Sequence, residues 1–325
     1  MLAMTRLFPL AVGLTLWCGA GVIGAAAADP PRIGFLTALP ESGPDREGFR
    51  QGLRELGYVE GKNILIDWRR ADTGQESQAL ADILVKTKVN VIVASGTPAA
   101  HAAMRATTTI PVVFANLGDP VASGFAASLA RPGRNGTGVS IDSTELYPKR
   151  VEFLHQLAPK ARRITYLLNS SNPIAARMLE ETELAARTLG VRLQTLDARN
   201  GREFDALLQT LGKNPPEAIL VGGDSLYLAN KGKVAAVVRK ARIPAIFPYD
   251  GYHENGALMS YGPNMREAGR LAAGYVDKIL KGANPSELPI QQISRFELII
   301  DLRLARELGI NVPRELLVRA DRVIR

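Results

Sequence analysis

The chain has 325 residues, of which 46% are hydrophobic and 22% are charged, and its formal net charge at pH 7 is +8. This composition is typical of a folded globular protein and excludes a low-complexity or disordered chain, while the length predicts two domains. The basic residues are scattered over helix faces without aromatic interleaving or a nucleic-acid-binding motif, so we predict no nucleic acid partner.

The first 28 residues differ from the rest of the chain. Arg6 is their one charged residue, and the uncharged stretch after it ends in a run of alanines. This pattern predicts a cleavable signal peptide at residues 1–28, with an uncleaved anchor helix as the alternative because the stretch is long enough to span a bilayer. Cys18 is the only cysteine, and bulky residues precede it, where lipoprotein signals prefer small ones. We therefore favour a secreted chain without a lipid anchor.

Short apolar strands alternate with amphipathic helices from Arg32 onward. Helices are predicted by apolar spacing, as at Phe49, Leu53 and Leu56, which follow the i, i+4, i+7 pattern of one helix face. The alternation predicts parallel sheets with helices on both faces, and it restarts after Ile141, which predicts two doubly wound units. The predicted strands are Arg32–Leu36, Ile64–Trp68, Val89–Ala94, Val112–Phe114, Gly138–Ile141, Ile164–Leu168, Arg192–Leu196, Ala218–Val221, Ala245–Phe247 and Ala257–Tyr261.

Six loops at the carboxyl ends of these strands combine small polar residues with glycine or proline. Such residues also begin helices in many proteins, so simple helix capping is the alternative interpretation of each loop. In open parallel sheets, however, ligands bind beyond the carboxyl ends of the strands, and six such loops would line one cleft. The predicted ligand-binding residues are Ser95, Gly96, Thr97, Asn116, Asp119, Asn169, Asn172, Asp224, Tyr249 and Asp250.

The predicted strand–helix junction at Ser95 and Thr97 indicates an anion site. Backbone N–H groups at the start of the helix, together with the two hydroxyls, could receive a carboxylate. An ammonium group would need an acceptor, and Asp119, Asp224 and Asp250 are the candidates. Asp224 is preferred because two glycines precede it, whereas Asp119 has the alternative role of a helix cap.

Aromatic residues in these loops favour a ligand with an apolar part. Tyr227, Tyr249, Tyr252 and Phe114 could form flat walls, although packing is the alternative role of each.

Enzyme motifs are not found in the sequence. His253 is predicted near the cleft but has no nucleophile motif beside it, and no metal or cofactor motif occurs. We therefore predict no enzyme, no metal and no cofactor. The alternative is a secreted α/β enzyme, hydrolase-like, that uses strand-end carboxylates.

Five sequence segments resemble one family. They are IGFL, FRQGLRELGYVEGKN, PVVFANLGDPV, LARPGRNGTGVS and GALMSYG. Together they resemble the ABC-transporter substrate-binding proteins that include tryptophan-binding lipoproteins, and the resemblance covers residues 32–325. It implies the α/β fold of type I periplasmic binding proteins, with two doubly wound parallel-sheet lobes joined by a three-segment hinge.

The resemblance also implies a domain division and a function. Lobe one would comprise residues 32–141 plus 262–285, and lobe two residues 142–261 plus 286–325. The chain would be a periplasmic monomer that binds an amino acid or related carboxylate by closure of the hinge. Aromatic ligands are among those implied, because the named relatives bind tryptophan. Its partners would be the small-molecule ligand and an ABC permease with its ATPase in the inner membrane.

Overall fold

A computed structural model describes residues 29–39, 43–71, 73–141 and 146–325. The predicted signal peptide, which includes Cys18, lies outside the described residues. Within the described ranges, no helix has the length and apolar character needed to cross a membrane.

Strands and helices alternate along almost the whole described chain. In chain order they are β1 (Arg32–Thr37), α1 (Pro44–Glu55), β2 (Leu65–Arg70), α2 (Gly74–Lys86), β3 (Val91–Ser95), α3 (Thr97–Ala106), β4 (Val112–Leu117), β5 (Gly136–Ser140), α4 (Leu146–Leu157), β6 (Arg163–Leu168), α5 (Ala175–Thr188), β7 (Arg192–Asp197), α6 (Gly201–Lys213), β8 (Ala218–Val221), α7 (Ser225–Ala229), α8 (Lys231–Lys240), β9 (Ala245–Phe247), β10 (Met259–Pro263), α9 (Met265–Leu280), β11 (Gln291–Gln292), β12 (Phe296–Asp301), α10 (Leu302–Leu308), α11 (Arg314–Arg319) and β13 (Arg322–Ile324). A 3₁₀ helix at Asp250–Asn255 follows β9.

The strands form two sheets. The first sheet has the order β11-β5-β4-β3-β1-β2, and all its pairs are parallel. The second has the order β13-β12-β10-β9-β8-β6-β7, in which only the pairing of β10 with β12 is antiparallel. We call the first sheet with its helices lobe one and the second lobe two. The predicted fold class of two parallel-sheet units is confirmed.

Each sheet is covered on both faces because successive strand residues point to opposite sides. In lobe one, Ile33 and Phe35 pack with α1 and α9, whereas Leu36 and Ile92 pack with α2 and α3. In lobe two, α4, α5 and α10 cover one face, and α6, α7 and α8 cover the other. The helices cover the faces of each sheet, so the carboxyl ends of the parallel strands are left uncovered at one end of the sheet.

Helices α1 and α9 lie in close contact on lobe one. A Cβ at Gly48 of α1 would lie 1.9 Å from the carbonyl oxygen of Arg266, and a Cβ at Gly269 of α9 would lie 2.1 Å from that of Asp45. Glycine is needed at both positions because no side chain fits between the two backbones. This contact buries Asp45 completely.

The chain passes between the two sheets three times in the structure. The passes follow β5, β10 and β11. Two predicted boundaries need correction. Gly262 and Pro263 belong to β10 of lobe two, and β11 pairs with β5, so residues 291–292 belong to lobe one rather than lobe two. β11 has only two residues, both exposed, which is why the hydrophobic pattern did not indicate it.

Candidate functional site

A cavity of about 40 Å³ lies between the two lobes, at the carboxyl ends of the strands. It brings together residues from β3, α3 and β4 of lobe one and from α4, α7 and the loops after β6, β8 and β9 of lobe two. The lining residues with polar side chains are Ser95, Thr97, Asn116, Tyr147, Arg150, Asn172, Ser225 and Tyr249. Six of the ten predicted site residues line it: Ser95, Gly96, Thr97, Asn116, Asn172 and Tyr249.

Gly96 lets lobe one approach lobe two closely. Its φ of +92° falls in the region that glycine tolerates, and a Cβ there would lie 2.8 Å from Ser225 Oγ across the cleft. The neighbouring Thr97 begins α3, and its hydroxyl oxygen accepts a hydrogen bond from the N–H of Gly118 at 3.3 Å. The hydroxyl proton of Thr97 is therefore available to a ligand.

Ser95 lines the cavity but does not act as the hydroxyl donor that the sequence suggested. Its Oγ donates to Oδ2 of Asp45 at 2.5 Å, and Thr37 Oγ1 donates to the same oxygen at 3.3 Å. A hydroxyl has one proton, so Ser95 presents lone pairs to the cavity. This corrects its predicted role as a donor to a carboxylate.

Asn116 presents to the cavity an amide oxygen that has no partner among the described residues. The residue is 6% exposed, and its Oδ1 is buried without a hydrogen-bond partner. Buried polar atoms are nearly always paired, so an unpaired buried amide beside a cavity indicates a group that a ligand completes.

Asp224 organises the loops of lobe two rather than lining this cavity. Its Oδ1 accepts from the amide of Asn169 at 2.9 Å and from the N–H of Leu226 at 2.8 Å, and its Oδ2 accepts from the amide of Asn172 at 2.6 Å. The carboxylate therefore caps α7 and fixes Asn172, which does line the cavity. Asp224 and Asn169 lie instead on a neighbouring opening of about 510 Å³.

Arg150 is a functional candidate that the pattern of strand-end loops did not predict. It is 1% exposed on α4, and it lines the cavity. Its Nε donates to the carbonyl oxygen of Tyr261 at 2.8 Å and its Nη2 to that of Pro248 at 2.9 Å. Among the described residues, Nη1 has no acceptor and no carboxylate oxygen lies within 4.0 Å of the guanidinium. Burial lowers the pKa of Arg150, but arginine remains protonated in proteins.

A buried cation without an anionic partner costs desolvation free energy, so a negatively charged group in the cavity would be stabilised beside Arg150. A Cβ at Gly223 would lie 3.6 Å from Arg150 Nη1 and 3.1 Å from the Tyr249 hydroxyl, so the glycine keeps space open beside both groups. Burial raises the pKa of Tyr249 to about 12, and its phenol stays protonated at neutral pH. Apolar walls complete the cavity, formed by Leu39, Ile141, Leu146, Ile174, Leu228 and Met265.

Asp119 and Asp250, two other predicted site residues, lie away from this cavity. One oxygen of Asp119 accepts from the N–H groups of Val121 and Ala122, and the other pairs with Arg177 of α5. Asp119 therefore caps its own turn and links lobe one to lobe two. Asp250 lines a different opening, and burial raises its pKa. Neither carboxylate is placed to contact a ligand beside Arg150.

The aromatic residues also fall into two groups, those that line the cavity and those in the lobe cores. Tyr249 and Tyr147 line the cavity, whereas Tyr227, Tyr252 and Phe114 are fully buried in the lobe cores. Packing, the alternative role considered for each, applies to these three.

His253 does not face the cavity either. Its Nε2 lies 2.7 Å from Oγ of Ser260, a residue that is 1% exposed. Burial lowers the pKa of His253 to about 4. Within the described part of the chain, no three His, Cys, Asp or Glu residues cluster as metal ligands.

Two doubly wound lobes that enclose a cavity at their strand ends define a two-lobed ligand-binding protein. Residues 40–324 match the family of ABC transporter substrate binding proteins, and the chain belongs to this family. The predicted family is thereby confirmed. Solved periplasmic and solute-binding proteins at 13–16% identity superpose with TM-scores of 0.54–0.56, which shows that they share the fold.

Three relatives are more similar. The tyrosine-binding protein of Clostridioides difficile (strain R20291) is 28% identical over 275 residues, which are 83% of this chain and 77% of that protein. A structure of the ABC domain in complex with L-Trp from Streptococcus pneumonia is 26% identical, covers 91% of this chain and 100% of that chain, and has a TM-score of 0.82. The ligand-free, open structure of a substrate-binding protein with adhesive properties from Clostridium difficile is also 26% identical, covers 91% and 99%, and has a TM-score of 0.62.

The lobes of this chain are closed. Identity is equal and coverage is nearly equal for the two solved relatives, but the chain superposes better on the structure in complex with L-Trp, with a TM-score of 0.82, than on the open one, with a TM-score of 0.62. Contacts across the cleft agree with this arrangement: Arg177 pairs with Asp119, and Leu39 of lobe one packs into the core of lobe two.

Proposed function

We propose that this chain is the extracytoplasmic solute-binding component of an ABC importer, and that it captures an amino acid or related carboxylate in the cleft between its lobes. The single observation that carries the ligand class is Arg150, a buried guanidinium on the cavity wall without a carboxylate partner among the described residues. A ligand carboxylate would supply the missing anion through a charge-assisted hydrogen bond.

The apolar walls support a ligand with a hydrophobic part. Leu39 and Ile141 contribute from lobe one, and Leu146, Ile174 and Leu228 contribute from lobe two. The relatives described as tyrosine-binding and as bound to L-Trp make aromatic amino acids the first ligands to test.

Closure would couple binding to transport. A ligand shifts the open–closed equilibrium only by the contacts that it makes in the closed state, and those contacts come from both lobes at once. Thr97 and Asn116 would bind it from lobe one, and Arg150 and Asn172 from lobe two. The closed form would then deliver the ligand to a permease and its ATPase in the inner membrane, with the chain acting as a periplasmic monomer after removal of residues 1–28.

A thermal-shift panel tests this proposal. The full chain is expressed, purified from the periplasmic fraction, and mixed with the 20 L-amino acids, aromatic acids, dicarboxylates and amino acid amides. We expect at least one free carboxylate to raise the melting temperature, since saturation at about 100 times Kd stabilises a folded protein by about 2.7 kcal/mol. The matching amide should give a much smaller shift. Mass spectrometry of the same sample locates the mature N terminus.

Two results would contradict the proposal. If no carboxylate shifted the melting temperature, the ligand class would be wrong. If the purified chain hydrolysed esters with burst kinetics, the secreted-enzyme alternative would replace it.

A further inference from the structure

Asp45 is a buried carboxylate that the proposed function leaves unused. It lies on the first turn of α1 and is 0% exposed beneath α9, and one of its oxygens, Oδ1, has no hydrogen-bond partner among the described residues. Within the described residues, no Lys, Arg or His nitrogen lies within 4.0 Å of its carboxylate oxygens. Its other oxygen, Oδ2, accepts from the hydroxyls of Ser95 and Thr37.

Burial disfavours the charged form of Asp45, and the groups around the carboxyl compensate for this only in part. Burial raises the pKa of this carboxyl, and the hydrogen bond from Ser95, the N–H and charge of Arg46 and the hydroxyl of Thr37 act in the opposite direction. The N-terminal turn of α1 also favours the ionised form, because the helix dipole is positive there. An additional positive charge nearby would therefore stabilise the carboxylate further.

Ser95 transmits this charge to the cleft. Because its proton is directed to Asp45, the hydroxyl oxygen faces the cavity as an acceptor, and the ionised form of the carboxyl group behind it makes that oxygen more negative. An ammonium group is the donor that fits such an acceptor best.

The wall that lobe two contributes to the cavity carries the positive charge of Arg150. Arg150 lines the cavity from lobe two, and the Ser95–Asp45 pair lines it from lobe one. We propose that the cleft recognises the free zwitterion of an amino acid, with its carboxylate at Arg150 and its ammonium at Ser95, and that Asp45 is the positioning residue that selects amino acids over acids lacking the ammonium. This inference rests on the proposed function.

Asp224 is less suited to this role, although Asn172 connects it to the cavity. Both of its oxygens accept side-chain amides, and one also accepts a backbone N–H, so its charge is satisfied within lobe two. Asp45, by contrast, retains an unpaired oxygen. In this proposal the ammonium lies at lobe one and the carboxylate at lobe two, which is the reverse of the assignment predicted from the sequence.

Paired ligands test the inference. Isothermal titration calorimetry measures Kd for L-tyrosine and for 3-(4-hydroxyphenyl)propanoate, which differ only in the ammonium group, and L-tryptophan with indole-3-propanoate forms a second pair. We expect the wild-type chain to prefer the amino acid by about 10- to 100-fold, the fold-change that one charge-assisted hydrogen bond produces. Asp45→Asn keeps the shape of the side chain, and we expect it to reduce this preference by at least about tenfold.

Ser95→Ala is the second variant, and it decides the test if Asp45→Asn does not fold. It should lower the preference by a similar factor while leaving Kd for the propanoate within about twofold. Asp250→Asn is the matched control, since Asp250 is another aspartate whose pKa is raised by burial, and it lines a different opening. This control should retain the wild-type preference.

The outcomes separate the inference from the proposed function. An unchanged preference in both Asp45→Asn and Ser95→Ala would overturn the inference and leave the carboxylate proposal standing. If neither member of either pair bound the wild-type chain, and no other carboxylate did, the proposed function would fail together with the inference.

Discussion

Arg150→Met tests the charge of the cleft directly. Methionine resembles arginine in length and suits a buried apolar site, so the substitution removes the guanidinium while retaining much of the packing. The loss of two hydrogen bonds, to the carbonyl oxygens of Tyr261 and Pro248, is offset by removal of a buried cation that has no carboxylate partner among the described residues. We expect the ligand-free variant to fold.

The expected loss of affinity is confined to ligands with a carboxylate. Nη1 of Arg150 has no acceptor among the described residues, so a ligand carboxylate can pair with it without breaking one of the bonds described above. Removing one partner of a buried ion pair costs about 3–5 kcal/mol. At the lower end of that range, Kd increases roughly 100-fold.

Calorimetry with the free amino acid and its amide measures this loss. The wild-type chain, Arg150→Met and Arg150→Lys are titrated with L-tyrosine or L-tryptophan, whichever binds, and with the corresponding amide. Arg150→Met should lose the acid-over-amide preference, and Arg150→Lys should retain part of it because lysine keeps the charge without the planar fork. Arg202→Met, at an exposed position on α6, is the control. Equal weakening of acid and amide would refute the assignment of Arg150.

Three further predictions concern closure, packing and pH. Asp119→Asn should shift the lobes towards the open form and raise Kd about 2- to 5-fold, since a partly exposed ion pair with Arg177 contributes about 0.5–1 kcal/mol; an unchanged ligand dissociation rate would contradict this role. Gly48→Ala should lower the unfolding free energy by about 2–3 kcal/mol because it separates α1 from α9. Gly74→Ala, where a Cβ would meet nothing within 4 Å, should change it by less than about 0.5 kcal/mol, and equal effects of the two substitutions would be inconsistent with the contact. The pKa of His253 is lowered by burial from its ordinary value of 6.5 to about 4, so the unfolded chain gains a proton in that window that the folded chain does not, and stability falls as pH falls. Between pH 7 and pH 4, the unfolding free energy of His253→Gln should fall by about 3 kcal/mol less than that of the wild-type chain, as measured by denaturant titrations. Parallel pH profiles of the two proteins would exclude this contribution of His253.

The fold was predictable because its main signals are local. Buried parallel strands such as β3 are continuous apolar runs, and the helices between them show regular apolar spacing, so each element is recognisable within a few residues. The antiparallel pairing of β10 with β12 was not predictable in this way. It depends on which distant strand is adjacent, and neighbouring residues do not encode that choice.

The candidate site was predictable only in part. Loops at strand ends identified Ser95, Thr97 and Asn116, because position along a strand determines position at the sheet edge. The partners of these residues come from far along the chain, and spacing does not reveal them: Ser95 bonds a residue 50 positions away, and Asp119 pairs with one 58 positions away.

Arg150 did leave a signal in the sequence. It falls between Tyr147 and Leu154 on the apolar face of α4, at a position that the helical period assigns to the core. A charged residue on such a face is unusual and requires a partner or a function. Inspection of apolar helix faces for charged residues would have identified it.

The three passes of the chain between the lobes determine how the molecule responds to proteolysis. A protease that cuts only one of the segments after β5, β10 or β11 would leave two covalent connections intact. The nicked product would therefore migrate as one species in size-exclusion chromatography and separate into fragments only after denaturation.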